Sequence, residues 1–237
     1  MDLTVMRLPT VPYGEALELQ IALHDERVSG KRGDTLVLLE HPPVITLGKR
    51  AGDEDILAPR ELLEKSGVEI FEINRGGEAT YHGPGQLVGY FIADIRALGR
   101  DVHRFVSNIE QVIIDYLGEE HGIEAGRDPK HRGVWIGNEK IAAVGIAIRQ
   151  GVSMHGFAFN INPDLSHFRW IIPCGIPDRG VTSLEKLTRR TAGTGEGKGD
   201  MSGVFDEAAG SIARRVGSIY GYDGVAVDTG APREVPP

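Results

Sequence analysis

Arg75-Gly-Gly-Glu-Ala-Thr-Tyr-His-Gly-Pro-Gly-Gln-Leu-Val-Gly-Tyr90 is the stretch around which the rest of the chain is organised. Five of its sixteen residues are glycine (Gly76, Gly77, Gly83, Gly85 and Gly89), so backbone N–H groups can approach a ligand closely or take φ > 0, while Pro84 stiffens the turn among them. A tight hairpin connection, glycine-rich for steric reasons alone, accounts for the same composition. Working outward, residues 69–74 read as a strand that delivers the chain to Arg75, and residues 86–95 as the strand that leaves it.

Upstream, residues 4–7 form an opening strand, and Pro12 introduces a helix to about residue 29. Its Ala16, Leu17, Leu19, Ile21, Leu23 and Val28 make a wide apolar stripe that ends at Gly30. Residues 35–39, apolar from Leu36 on, read as a buried strand; the His41-Pro42-Pro43 break and a second short strand, 44–47, follow. A short helix over 59–66 closes at Gly67. Downstream, Asp101 caps a helix to Gly122, in which Val102, Phe105, Val106, Ile109, Val112, Ile113, Tyr116 and Leu117 keep helical spacing. From Gly133 the pattern is an antiparallel meander over 134–136, 140–148 and 153–161, with turns at 137–139 and 150–151. Residues 181–185 start a helix, 191–202 read as a loop with four glycines, 202–220 as the last helix and 228–237 as frayed. The expectation is one α+β domain over residues 1–222, a mixed, mostly antiparallel sheet flanked by helices, with 223–237 as a flexible C-terminal tail.

The net charge of −8 and the absence of a basic stripe argue against a general nucleic-acid binder. No run of eighteen apolar residues and no basic start followed by an apolar run occur, so a soluble, cytoplasmic chain without membrane attachment is expected. One cysteine excludes an intramolecular disulfide and multi-thiolate zinc sites, and the eight histidines lack metal-ligand spacing; no metal is expected.

Two residues carry potential chemistry. A lone cysteine is most often a small buried apolar residue, but Cys174 sits in Pro173-Cys174-Gly175, where proline fixes the backbone and glycine leaves room for an acyl carbon. Lys140 follows a turn, the usual place for a solvated charge, yet it opens Ile141-Ala142-Ala143-Val144-Gly145, whose small side chains leave space above a sheet for a ligand chain or for a closely packed helix. His41 and Gly48-Lys49 could line a pocket, although capping and turn roles are commoner for such residues.

The run Arg-Gly-Gly, three variable positions, then Tyr-His-Gly-Pro-Gly-Gln-Leu resembles the signature loop of the octanoyltransferases of lipoate biosynthesis (lipoyl(octanoyl) transferases). Lys-Ile-Ala-Ala-Val-Gly from Lys140, His-Gly-Phe-Ala-Phe-Asn-Ile-Asn from His155 and Ile-Pro-Cys-Gly from Ile172 resemble that family's next three blocks, in its order. Glu78 at a variable position, Phe91 after Tyr90 and the glycine-rich stretch near Gly195 are departures that leave Cys174 and Lys140 untouched.

The resemblance implies a catalytic domain like that of biotin and lipoate protein ligases. It implies an ATP-independent, cofactor-free acyltransferase with Cys174 as acyl-thioester nucleophile and Lys140 as the partner that lowers its pKa. Arg75, Gly76, Gly77, Glu78, Ala79, Thr80, Tyr81 and His82, with Ala143, Val144, Gly145, Gly156, Phe157 and Ala158, would line the substrate site. Octanoyl would pass from acyl carrier protein to a lysine of lipoyl domains, those of 2-oxoacid dehydrogenase E2 subunits and of the glycine cleavage H protein. These partners are typically acidic, so docking needs a local basic patch: Arg127, Lys130, His131 and Arg132, or Arg179, Arg189 and Arg190. An ATP-dependent lipoate ligase, a thioesterase and a non-catalytic binding module are the competing readings.

Overall fold

The computed structural model describes residues 1–172, 179–192 and 203–228. In chain order the elements begin with β1 (Asp2–Thr10), α1 (Tyr13–Val28), β2 (Thr35–Glu40), β3 (Val44–Leu47), α2 (Arg60–Lys65), β4 (Glu69–Glu72), β5 (Ala79–His82) and β6 (Gln86–Ile92). They continue with α3 (Val102–His121), β7 (Val134–Ile136), β8 (Glu139–Arg149), β9 (Val152–Asn160), β10 (Gly180–Val181), α4 (Leu184–Ala192), α5 (Val204–Tyr220) and β11 (Gly224–Asp228). The main sheet runs β10-β8-β9-β6-β2-β1-β11, with β7 paired to β8, and a smaller sheet runs β4-β3-β5. Hairpin neighbours pair antiparallel, whereas β1 pairs parallel with both β2 and β11, so the expected mixed α+β architecture is the one observed.

Both faces of the main sheet are covered, which is why its central strands are apolar without alternation. Leu36 and Leu38 of β2, Leu87 and Phe91 of β6 and Phe157 and Phe159 of β9 pack under α3 and α5. Val37 and Leu39, with Val88, Tyr90 and Ile92, pack on the other face with Ala16 and Leu23 of α1. The Asp101 side chain accepts from Arg104 N at 3.0 Å to cap α3, and Gly122 ends it in a left-handed conformation, as its periodicity and flanking residues predict.

Three features depart from the sequence expectations. Residues 79–82 of the glycine-rich stretch form a strand, β5, against β3. Residues 44–47 therefore belong to a separate small sheet rather than to the main one. Residues 224–228, read as tail, add a parallel edge strand to β1; Val225 and Val227 stay exposed, so backbone pairing rather than burial holds them there. Of residues 191–202, read as a loop, Thr191 and Ala192 instead end α4, and residues 193–202 and 229–237 lie outside the described residues.

Asp34, which is fully buried, ties the main sheet to the C-terminal helix. Its carboxylate accepts from Arg27 Nε at 2.6 Å, Asp94 N at 2.9 Å and Tyr222 OH at 2.7 Å. Removing one partner of a buried pair leaves the other charge desolvated and unmatched. Asp34→Ala should therefore cost about 3–5 kcal/mol and Tyr222→Phe about 1–2 kcal/mol, read as loss of unfolding free energy in urea; equal, negligible losses would show that the network does not support the fold.

Candidate active site

Between the two sheets lies a cavity of about 580 Å³. Its floor is a row of small residues in register: Ala143 of β8 faces Ala158 of β9, and Gly145 faces Gly156. Over them runs the loop from Arg75 to Glu78, held down by Gly76 N donating to Ile146 O at 3.0 Å. A side chain at position 145 would place its Cβ 2.9 Å from Gly76 O, so glycine is what lets loop and floor meet.

Arg75 is buried; its guanidinium donates to Thr46 O and Thr46 Oγ1, both at 2.9 Å, and to Gly76 O at 3.1 Å. Gly77, Glu78, Thr80, His82, Val144 and Phe157 also line the cavity, and Glu78 is paired with Arg50 at 2.9 Å. Ala79 and Tyr81 do not. Successive residues of a strand point to opposite faces, and β5 turns these two into the core beneath the small sheet, where Tyr81 OH meets His167 Nδ1 at 2.7 Å.

Lys140 reaches the cavity because β8 carries one extra residue. Trp135 pairs with Lys140 but Val134 pairs with Ala142, so Ile141 is a bulge. Ile141 and Ala142 both pack into the α3 core, while Lys140 and Ala143 both face the cavity. Next to the bulge, Gly133 has φ 126, and a Cβ there would lie 2.4 Å from Ala142 O. Lys140 is only 6 % exposed. Ile171 and Val181, on either side of residues 173–178, border with Lys140 a second small cavity that opens beside Thr80 and Ala158. Cys174 itself lies outside the described residues.

The end of the cavity away from Lys140 is polar, and sequence reasoning missed most of it. Tyr13 of α1 stacks on His82 at 6.2 Å between ring centroids, and His41 and Tyr90 complete the cluster. His41 Nδ1–H donates to Val11 O at 2.6 Å, so its Nε2 accepts from Tyr90 OH, also at 2.6 Å. Gln86 Nε2 donates to Tyr81 O and Asn160 Oδ1; its Oε1 therefore accepts from His82 Nδ1–H at 2.7 Å, which leaves His82 Nε2 as an acceptor. His155 sits at φ 60, a left-handed conformation inside β9, and its N–H donates to Gln20 Oε1 at 2.9 Å rather than to a strand neighbour. The sequence signal for this cluster was weak: only His41 and His82 stood in segments singled out as pocket candidates.

Burial first, and then the Arg75 charge, lowers His155 to about 4. Burial and the neighbouring His41 lower His82 to about 3, and burial lowers His41 to about 4. Burial also pushes the Tyr13 hydroxyl up to about 12. At neutral pH the cluster is uncharged.

Six basic or imidazole side chains, Lys49, Arg50, His103, Lys130, His131 and Arg132, stand around the cavity. Of the basic clusters foreseen from sequence, Arg127 is drawn aside by Glu110 at 3.1 Å, Arg179 by Asp128 at 2.6 Å and Arg189 by Glu185. The Arg190 side chain lies outside those described.

The chain belongs to the lipoyl protein ligase A/B catalytic domain family, whose pattern matches residues 12–205. Within it, the chain is 50 % identical to an octanoyltransferase of Caldicellulosiruptor saccharolyticus over 93 % of this chain and 90 % of that one. It is 54 % identical to an octanoyltransferase of Caldicellulosiruptor bescii over 81 % and 84 %. Among solved structures, lipoate-protein ligase A bound with ATP superposes with a TM-score of 0.68 at 14 % identity, covering 99 % of this chain and 90 % of that one. A bipartite lipoate protein ligase from Thermoplasma acidophilum gives 0.65 at 17 %, covering 99 % and 88 %. At such identities the likeness is one of fold.

Three histidines held neutral make stability pH-dependent. Their folded pKa values lie below the ordinary 6.5, so the unfolded chain binds protons first as pH falls. Their stabilising contribution is complete above pH 6.5 and is lost progressively towards pH 4 to 3. Urea midpoints measured across that window should fall with acid, and His155→Gln should flatten the slope; a slope unchanged by the substitution would contradict the assignment.

Proposed function

We propose that this chain moves an octanoyl group from the thioester of an acyl carrier protein to a lysine of a lipoyl domain, through a thioester on Cys174. The observation that carries the reading is Lys140: a lysine turned by a bulge into a cavity floored by alanine and glycine, in a chain half identical to octanoyltransferases. Support for pairing it with Cys174 is that Ile171 and Val181, which bracket the cysteine in sequence, border the same small cavity as Lys140.

In the first half-reaction the Cys174 thiolate, favoured by the Lys140 ammonium, attacks the thioester carbonyl. The tetrahedral oxyanion collapses, the carrier thiolate leaves, and Lys140 supplies the proton that makes it a thiol. Lys140 is then neutral. In the second half the acceptor amine attacks the acyl-cysteine, gives its proton to Lys140, and expels the Cys174 thiolate, which restores the starting pair. His82 is no oxyanion donor in this scheme, because its one N–H is committed to Gln86. No ATP is consumed, because the donor thioester is already activated.

Laying the tail along the Ala143–Ala158 and Gly145–Gly156 floor contributes on the order of 4–5 kcal/mol, at about 0.8 kcal/mol per methylene. The chain as a whole is acidic, yet Lys49, Lys130 and Arg132 stand at the cavity, a local field that suits an acidic carrier.

With octanoyl carrier thioester and no ATP, intact mass should show one added octanoyl group on the wild type and none on Cys174→Ala; an adduct that requires ATP would favour a ligase instead. Lys140→Arg should slow transfer from the acyl-enzyme on the order of 10²–10⁴-fold, in single-turnover measurements, and undiminished transfer would defeat the base role. Lys130→Glu with Arg132→Glu should lower kcat/KM for carrier substrate by about tenfold, with weaker salt dependence. Arg127→Glu, whose guanidinium does not line the cavity and lies nearer Glu110 (3.1 Å) than that of Arg132 (3.8 Å), should not reproduce that loss of salt dependence; indifference to the rim charges would remove the docking proposal.

A further inference from the structure

Trp135 stands directly opposite Lys140 in the β7–β8 register, and Lys140 Nζ lies 4.7 Å from the centre of its ring. The Arg179 guanidinium carbon lies 4.9 Å from the same ring. An indole face attracts a cation electrostatically, most strongly where water is scarce, and this indole is buried. Two cations sharing one ring repel each other unless one of them is matched. Arg179 is matched by Asp128 at 2.6 Å, a carboxyl that the Lys130 N–H, before other contacts, helps to hold down at about 2.

The ring is itself braced. Its Nε1 donates to His131 O at 3.1 Å, and the Trp135 backbone exchanges two 2.9 Å bonds with Gly126. The adjoining strand is fixed at Gly133, whose N–H donates to Glu110 Oε1 at 2.9 Å. Trp135 thus gathers the 127–133 loop, the start of β8 and Arg179 around one aromatic face.

We infer that Trp135 is a positioning residue for Lys140, its ring holding the ammonium charged and in place at the cavity; this rests on the reading of Lys140 and Cys174 as the reacting pair. The charged and titratable groups around Trp135 and Lys140 are Arg179, Asp128 and His131 about the indole, Glu139 with Lys186 at 2.6 Å beside β8, and Arg75, Glu78, Lys130 and Arg132 along the cavity. None of these is removed when the ring is changed. A cation–π contact favours the protonated lysine, so losing it acts in opposite senses on the two half-reactions. An ammonium held less firmly stabilises the thiolate less, so the cysteine ionises at higher pH, whereas the lysine gives up its proton at lower pH.

The test is iodoacetamide alkylation of Cys174 against pH, beside single-turnover transfer from the acyl-enzyme against pH. In Trp135→Leu the alkylation midpoint should rise by about half a unit to one unit, and the transfer profile should fall by a similar amount. Trp135→Phe should lie between. Because a smaller side chain can also loosen the core, the same measurements belong on protein carrying singly and doubly fluorinated tryptophan, in a Trp170→Phe background that leaves one indole. Fluorine drains the ring face while nearly keeping its shape, so the two midpoints should separate stepwise with fluorine number. Midpoints that move together, or not at all, would overturn the positioning role. Lys140→Met separates the two levels of the argument: if it leaves the alkylation midpoint unchanged, the Cys174–Lys140 pairing fails; if it raises the midpoint and the Trp135 variants do not, only the role of Trp135 fails.

Discussion

One buried guanidinium sets the distance between the two sheets. Arg75 reaches from the glycine loop to Thr46 on β3 and back to its own neighbour Gly76, while Gly76 N fastens the same loop to β8. A charge taken this far from water must keep its partners, since leaving it unmatched costs several kcal/mol. The loop is therefore held at a fixed height over the Ala143–Ala158 floor, and the gap that results is the cavity. The same charge discourages protonation of His82 and His155, so the histidines below it are kept as neutral hydrogen-bonding groups.

Within that frame the position of Lys140 depends on a single inserted residue. Without Ile141 as a bulge, strand alternation would put Lys140 on the face of Ala142, against α3, where an ammonium would meet Ile113, Phe159 and other apolar side chains. The bulge is affordable because Gly133 lets its own backbone close on Ala142 O. A packing detail on one strand thus decides whether a neighbouring lysine is a buried liability or a group facing a cavity.

How much of this was legible follows from the range of the forces involved. Helix α3 was plain because its apolar residues repeat every turn and its caps are local, and β2 because Leu36 to Leu39 are apolar in an unbroken run. The glycine loop and the small residues of β8 were legible as lining for a space above the sheet, or as room for a closely packed helix, whereas Gly156 and Ala158 of β9 were reached only through the family resemblance. The bulge was not, since it depends on contact between Gly133 and Ala142 rather than on either residue alone. Nor was the turn of Ala79 and Tyr81 away from the cavity and into the core, which follows only once residues 79–82 are known to pair with β3. Edge strands β10 and β11 are held by backbone pairing that leaves little mark on side-chain pattern. Tyr13, His41 and His155 converge from three separate parts of the chain, and of these only His41 was read as a possible pocket lining.

The fold by itself does not decide how an acyl group is activated. The same architecture at 14 % identity is that of a ligase bound with ATP. Cations around the cavity would draw the phosphates of a nucleotide as readily as the acidic face of a carrier, so the rim favours neither chemistry. The distinction falls on the nucleophile. An acyl-adenylate is reactive enough for the acceptor amine to attack directly, and a site built for it has no need of an ionised sulfur. Exchange from one thioester to another needs an ionised sulfur together with a group that can release a proton in one half-reaction and take one up in the next. A solvated surface lysine is a poor store of this kind, because water fixes its proton affinity. Lys140 is not such a lysine: it is almost withdrawn from solvent and set against an aromatic face, which is the setting that the proposed thioester exchange asks of it.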